Sequence, residues 1–465
     1  MTKNIKNISP KTKILFWGNQ SKREIYIINS IIKELKNVNS CIDVKVMFDE
    51  MDTNSYWEAI LYKPNIIITY PITTDYQIRN YIITKLLINP IIICYTTEGI
   101  FDYKNPEVFR LFLGMYDYPS WLVDYHFFWG RKVANLLGRE MINRKRIESW
   151  KQIKVVGYPM YEEGIYKGDL SFVEENIRIQ NERKKYTKCV MFATGFHCAN
   201  VTKNDISGLA DVVNVKNVNT KEFREEVNKY YDEIVEPLSE YRNQYIDCIC
   251  KLAMDNDNIL FLVKLHPLEI EQLIANRANP YKQMQEYKNI VLLDKNIPLK
   301  VYLDYIDIFF HYGSTTGLEA YIHGVPTVQL QPMHKHIFLE TTFESTRIIM
   351  INKYKEIEDI CKKGIKFVHI QSVKKYLYDF MNYRFEIPYT PSKEIAHSIL
   401  SSKKWSKVDI ASAYVKKNIL NNNEIVSKIV EDLIINFHKN QIKGICKDIY
   451  YYLKWIVIKY FCKLI

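Results

Sequence analysis

The chain has 465 residues, 47% of them hydrophobic, enough for roughly two to three domains with sizeable cores. Its formal net charge of +11 is a mild excess spread along the sequence. With no basic block interleaved with aromatics, a nucleic-acid reader is excluded, whereas phosphorylated substrates and an anionic membrane suit such a surface equally well.

Usage is skewed: 35 Tyr stand against 15 Gly, and Ile, Asn and Lys are abundant, which weakens any argument from a single Lys, Asn or Tyr. The nine Cys are odd in number and irregularly spaced, and several lie in apolar runs such as Ile91–Cys94. That pattern reads as reduced, buried thiols in a cytosolic protein. Cys248-Ile-Cys250 lacks the second pair that a zinc knuckle needs. The opening Met-Thr-Lys-Asn-Ile-Lys has no apolar core of a signal peptide, and no apolar run reaches bilayer-spanning length. The expected location is cytoplasmic.

Taken in order, Lys13–Gly18 is predicted as a short strand ending in Gly, followed by a helix to about Leu35. Val44–Phe48, Asn65–Tyr70 and Pro90–Tyr95 are three further strands, separated by helical patterns at Tyr56–Tyr62 and Tyr76–Leu87. Another strand, Asp124–Trp129, leads to a helix from Arg131 and then to Lys154–Pro159. Alternating strands and helices predict a parallel sheet with right-handed crossovers, so 1–165 reads as one Rossmann-like domain. Residues 166–187 are expected as a polar connector.

A second series, 188–370, begins with the strand Lys188–Ala193, which runs into Thr194-Gly-Phe-His197. A polar loop over about 199–218 precedes a long helix expected at about 219–256. The strand Ile259–Leu265 leads directly into His266-Pro267. Next come a strand at Ile290–Leu293, a helix at Pro298–Tyr305, the strand Ile308–Phe310 and a strand over Val325–Leu330. The tail, 371–465, is expected to be mainly helical. The fold class is therefore α/β, two facing Rossmann-like domains with a helical C-terminal tail. In such sheets ligands bind outside the carboxyl ends of the strands, where the distinctive residues here fall.

Four groups could carry chemistry. After Ile308–Phe310, Gly313 makes a turn and Ser314 or Thr315 stands where a helix N-cap belongs; the short helix ends at Gly324, with Pro326 beyond. Hydroxyls and free amides there form an anion site, and Glu319, one turn in, can reach a sugar hydroxyl; the alternative is an ordinary capped βα unit. His266 can donate to a phosphate oxygen on a departing nucleotide, or merely cap the turn before Pro267. It is expected on a strand neighbouring the one that carries Ser314. Glu98 follows Ile91–Tyr95 and could act as general base, as nucleophile, or be a solvated loop acid. Gly18 and Gly195, with His197, could allow close backbone approach to a ligand or simply form tight turns. No dinucleotide fingerprint, P-loop or metal cluster is present, so no cofactor and no obligatory metal are expected.

These blocks together resemble bacterial surface-carbohydrate (polysaccharide) biosynthesis proteins of the GT-B glycosyltransferase type. Thr97-Glu98-Gly99, Trp129-Gly130 and Val155-Val-Gly-Tyr158-Pro159 are similar to that family's acidic loop, its Trp-Gly strand end and its Gly-Asn-Pro-Arg turn. Lys264-Leu-His266-Pro267 is similar to its His-Pro motif, and Ser314-Thr315-Thr316-Gly-Leu-Glu319-Ala, with Gly324 and Pro326, to its Ser-Thr helix. Related elements occur in sialyltransferases, Kdo transferases and glycerophosphotransferases, and the likeness covers about residues 90–330.

The resemblance implies a glycosyltransferase using a nucleotide-sugar donor, with a CMP-linked nonulosonic acid or Kdo favoured, and a surface glycan or glycolipid acceptor. It places donor binding on His266, Ser314, Thr315, Thr316 and Glu319, with Gly195 and His197 beside them. The acidic-loop role falls on Glu98, and Gly18, Gly99 and Tyr158 lie on the acceptor side. Thr97 replaces the first acidic position, and Tyr158-Pro159-Met160 lacks the usual Arg. Two alternatives stay open: a non-hydrolysing sugar-nucleotide epimerase, and a degenerate non-catalytic subunit of a glycan-assembly complex. The apolar, aromatic and basic segment Ile449–Ile465 suits an interfacial helix at the inner face of the plasma membrane, or a helix packed on the N-terminal domain.

Overall fold

The computed structural model describes residues 12–18, 22–48, 56–72, 75–96, 106–116, 118, 120, 122–163, 165, 170–200, 225, 228–229, 231–275, 278–312, 314–331, 347–365, 370–384 and 386–403. Glu98, Gly99, Gly313, residues 201–224, which hold most of the loop expected at about 199–218, and the segment 449–465 lie outside them. The chain divides into two compact units.

The first unit runs β1 (Lys13–Gly18), α1 (Lys22–Val38), β2 (Asp43–Phe48), α2 (Tyr56–Tyr62), β3 (Ile66–Thr69), α3 (Asp75–Ile88), β4 (Ile91–Tyr95), α4 (Pro106–Gly114), β5 (Tyr125–Phe128), α5 (Arg131–Asn143) and β6 (Ile153–Val155). Its strands form one parallel sheet in the order β2-β1-β3-β4-β5-β6. Strands covered by helices on both faces need side chains that are apolar on both, which is why Ile14–Trp17, Ile66–Ile68 and Ile92–Tyr95 read as unbroken apolar runs and are buried throughout. A buried ion pair pins α3 to this sheet. The Lys85 amine meets the Asp124 carboxylate and donates to the Pro90 carbonyl at 2.8 Å, while Asp124 accepts the Ile92 N–H at 2.7 Å.

The second unit contains α6 (Leu170–Arg183), inside the stretch expected as a connector, then β7 (Lys188–Ala193), α7 (Glu236–Asp255), β8 (Ile259–Lys264), α8 (Pro267–Ile274), β9 (Ile290–Leu293), β10 (Ile308–His311), α9 (Thr316–Ile322), β11 (Thr327–Gln331), β12 (Arg347–Met350) and α10 (Tyr354–Lys363). The sheet is parallel, in the order β12-β11-β10-β7-β8-β9. Numbered from β7, this is the doubly wound order 3-2-1-4-5-6, with a topological switch point between β7 and β10. Of the long helix expected at about 219–256, Glu225, Asn228 and Lys229 are helical, Tyr231–Val235 is a π-helical turn, and the α-helix Glu236–Asp255 follows, with Pro237 near its start. In place of the helix expected at Pro298–Tyr305 there are two 3-10 turns, Leu299–Val301 and Leu303–Tyr305.

The two faces of this second sheet differ. Val190, Phe192, Phe261, Val263, Ile308, Phe310, Val328 and Leu330 share one core with Tyr241, Tyr245 and Ile249 of α7 and Ile357 and Ile360 of α10. Residues of alternate register on the same strands face the other way, toward α9.

Beyond α11 (Ile370–Met381), the chain returns to the first unit, where α12 (Pro391–Ser401) packs along α1. Glu162 ties this together: its carboxylate accepts from Ser30 Oγ at 3.0 Å and from Ser392 Oγ at 2.7 Å, and also takes the Ser392 N–H. Tyr389 Oη accepts the Tyr158 N–H and donates to the Met381 carbonyl, both at 2.8 Å. Gly130 lies so close to Phe380 that an added Cβ would fall 2.1 Å from its carbonyl carbon.

Candidate functional site

The loops bearing the predicted site residues leave the second sheet at one edge. Lys264, Ala193 and His311 are register partners across β8, β7 and β10, so His266, Gly195 and Ser314 follow within two or three residues of a common rung. The strands of His266 and Ser314 are not neighbours, contrary to expectation, because β7 runs between them. Sequence spacing could not show this. The central strand comes first in the chain, and its two flanks are added on either side later.

One buried carboxylate, which sequence reasoning missed, fastens the β7 and β8 loops together. Glu269 of α8, 1% exposed, accepts from Thr194 Oγ1 at 2.5 Å, from the His266 N–H at 3.2 Å and from the Tyr281 hydroxyl. Burial raises its pKa, and these hydrogen bonds oppose the rise. Thr194 Oγ1 also accepts the His266 N–H at 3.0 Å. The legible signal was His266-Pro-Leu-Glu269, a capping-box spacing with Pro at the first helical position.

His266 is the N-cap of α8, its Nδ1 accepting the Leu268 N–H at 3.2 Å. A ring nitrogen that accepts carries no proton, so the neutral ring bears its hydrogen on Nε2. Nδ1 therefore does the capping, and the ring's donor is Nε2–H. The ring of His197 stacks on that of His266, with centroids 4.8 Å apart and planes at 25°. Burial lowers the His197 pKa, which keeps it neutral, and its Nδ1 is buried without a hydrogen-bond partner among the described residues. Gln272 of α8 donates to the His197 carbonyl at 3.0 Å, which secures this turn.

On the other side of β7, Ser314 carries the cap expected of it or of Thr315. Thr315 occupies the N-cap place of α9 without a side-chain cap, while Ser314 Oγ accepts from Thr316 N at 3.3 Å and from Thr316 Oγ1 at 2.8 Å. These bonds use the oxygen as acceptor and leave the Ser314 hydroxyl hydrogen to donate. Beneath them, His311 Nδ1 accepts the Ser314 N–H at 3.3 Å. His311 is fully buried, and desolvation drives its pKa down to about 3, so this anchor is neutral. Gly324, with φ +88°, terminates α9 in a left-handed conformation, and Ser314, Thr315, Thr316 and Glu319 are all half-buried.

The structure gives the other predicted residues different surroundings. Gly195 has room, since an added Cβ would meet the Tyr312 ring at 3.4 Å and the Tyr312 carbonyl oxygen at 3.9 Å. Gly18 is required by packing, as a Cβ there would sit 2.3 Å from the Tyr70 ring. Tyr158 is 4% exposed and stacks on Trp129 at 3.7 Å, so its side chain is part of the first unit's core. Among the described residues, no group of three or more His, Cys, Asp or Glu is placed to hold a metal ion, and no helix is long and apolar enough to cross a membrane.

No family model matches the sequence, and no curated protein matches it. Among solved structures, a variant of the wall teichoic acid polymerase TagF aligns over 85% of this chain and 89% of its own, with a TM-score of 0.50 at 14% identity. The UDP-GlcNAc 2-epimerase from Neisseria meningitidis, bound to UDP-GlcNAc, aligns over 84% of this chain and 100% of its own, with a TM-score of 0.49 at 14% identity. The same enzyme from Methanocaldococcus jannaschii has a TM-score of 0.46 at 13% identity, with coverage of 84% and 100%. The fold is of the GT-B type, built from two Rossmann-like parallel-sheet domains.

Proposed function

We propose that the chain is a glycosyltransferase that moves a sugar from a nucleotide-activated donor to a surface-glycan acceptor. What supports this reading is that His266 and Ser314 follow the ends of β8 and β10, on either side of β7, at the switch point of a doubly wound sheet. Both are hydrogen donors whose acceptor atoms are already used internally, the arrangement an oxyanion calls for. In the transfer, the bond between the anomeric carbon and the phosphate oxygen breaks, and the phosphate keeps the electron pair. His266 Nε2–H and the hydroxyls of Ser314 and Thr315 offset that charge, while Thr316 holds Ser314 in place through its hydroxyl. An acceptor hydroxyl forms the new bond and gives up its proton; Glu98, by resemblance to the acidic loop, receives it. One imidazole and one hydroxyl cluster match a single phosphate, which favours a CMP-linked donor such as a nonulosonic acid or Kdo. Glu319 is assigned to a sugar hydroxyl.

The test is a thermal-shift panel of CMP, CDP, UDP and GDP. A ligand at about 100 times its dissociation constant adds about 2.7 kcal/mol of stability. A CMP response supports the reading. A UDP response, with a new sugar nucleotide released in the absence of acceptor, replaces it with an epimerase. Silence from every nucleotide overturns it in favour of a non-catalytic subunit.

A further inference from the structure

The loops on either side of the switch point share a support in α7. Tyr312, the residue after β10, packs its ring on Phe196 and on Tyr241 of α7, with centroids 5.0 Å apart in each case. The next residue of α7, Arg242, reaches the other loop, where the 3-10 turn His197–Asn200 follows β7. Its Nη1 donates to Asn200 Oδ1 and, at 3.4 Å, to the Ala199 carbonyl. Ser239 Oγ donates to the same carbonyl at 2.8 Å. From α8, Gln272 closes the turn: its Oε1 accepts from Asn200 Nδ2 at 2.7 Å, and its Nε2 donates to the His197 carbonyl. The guanidinium therefore stands at the end of the four-residue turn that begins with His197, whose ring stacks on His266.

This guanidinium is anchored but not neutralised. Arg242 is half-buried, and no ion pair to it is present among the described residues. Its Nε is buried and has no hydrogen-bond partner among them. The Glu269 carboxylate on α8 is committed to Thr194, Tyr281 and the His266 N–H. An arginine cannot shed its proton to escape the cost of burial, and its planar fork of five N–H groups matches a carboxylate or a phosphate. Buried charges are ordinarily paired, so an unpaired one at the edge where an α/β sheet takes its ligands points to a partner that arrives from outside. The donors placed so far at this edge, His266 Nε2–H and the Ser314 hydroxyl, are neutral, whereas a nucleotide carries full negative charge.

We propose that Arg242 is an anion-binding residue of the nucleotide-sugar site, held to the His197–Asn200 turn through Nη1 and leaving the rest of its fork to a negative group of the donor, its phosphate or a carboxylate on its sugar. The inference rests on the function proposed above, to which it adds a residue and the charge that residue answers.

Thermal shifts of the full chain test it, for wild type, Arg242→Gln and Arg242→Lys. Gln keeps a donor for Asn200 without the charge, and Lys keeps the charge without the fork. The first probe is sodium phosphate against sodium chloride at equal ionic strength. Wild type should gain from phosphate, Arg242→Gln should lose the gain, and Arg242→Lys should keep part of it. The second probe is the series cytidine, CMP and CMP-sialic acid, with uridine and UDP as the alternative pair. For the nucleotide that responds, Arg242→Gln should weaken binding about tenfold or more and leave the nucleoside response unchanged. A loss that first appears at the nucleotide assigns Arg242 to the phosphate; one that first appears at CMP-sialic acid assigns it to the sugar carboxylate. Unchanged binding in Arg242→Gln overturns the proposal. So does an equal loss of nucleoside and nucleotide responses that Arg242→Lys does not restore, which would mark a residue that only braces the turn. If every nucleotide is silent while phosphate still stabilises through Arg242, the anion site stands and the proposed function falls. If phosphate is silent as well, both fall.

Discussion

Nδ1 of His266 accepts the backbone N–H of Leu268 at 3.2 Å, and the ring of the same residue stacks on His197. One side chain therefore does two separable jobs, and substitutions can divide them. His266→Ala should lose the cap, worth about 0.5–2 kcal/mol, together with any nucleotide response. His266→Asn keeps a capping oxygen and should recover the stability without the response. Thermal denaturation with and without nucleotide reads both. An Asn variant that responds normally would leave the imidazole no role in binding.

Gly317→Ala tests how tightly α9 is seated. Helix propensity alone favours Ala by about 0.5–1 kcal/mol. The new Cβ would lie 2.5 Å from a fully buried His311 that also anchors the Ser314 amide, so overpacking of about 1–3 kcal/mol should win. Net destabilisation in urea titration is expected; a stabilised variant would mean the imidazole yields easily.

For the buried pair in the first unit, Lys85→Met should cost about 3–5 kcal/mol, because Asp124, with a 2% exposed side chain, would be left as an unpaired buried charge. Lys85→Met combined with Asp124→Leu should recover most of that. It should still fall short of wild type by about 1–3 kcal/mol, since the Ile92 N–H loses its acceptor. A double-mutant cycle on denaturation midpoints checks both figures.

Glu162 sets a pH dependence. Burial raises its folded-state pKa above the ordinary 4.5, despite hydrogen bonds from Ser392 and Ser30 that pull the other way. Between the unfolded value and the raised folded value the native state holds the extra proton, so this contribution to stability is full below about 4.5 and is lost as pH rises through the folded value. Compared with Glu162→Gln, wild type should lose stability as pH climbs through that window. Parallel curves for the two proteins would contradict it.

Glu98→Gln should abolish turnover and leave nucleotide affinity intact, as measured by product formation alongside thermal shift. Loss of both in equal measure would move Glu98 from acceptor activation to donor binding.

The strands were the legible part of the sequence. Helix-covered parallel strands must be apolar on both faces, and Ile66–Thr69, Ile91–Tyr95 and Ile308–His311 declare themselves that way. Strand order was not legible, because nothing local to β8 or β10 records that β7 separates them. β12 escaped notice because Arg347–Met350 is only four residues long and opens on a charge. Pro298–Tyr305 carries a helical pattern but folds as two 3-10 turns too short to sustain an α-helix. In the candidate site, the motif residues His266 and Ser314 could be named from their strand ends. Glu269 could not be given its role, since it acts through partners distant in sequence, Thr194 and Tyr281.

The return of α12 to the first unit has a consequence for biogenesis. On the ribosome, β1 to β6 emerge early, but the Ser392 partner of Glu162 and the helix that covers α1 are made only after the whole second unit. At about 5–20 residues per second, that delay is on the order of tens of seconds. Throughout it α1 lacks the helix that packs along it. Of the two units, the one begun first is completed last.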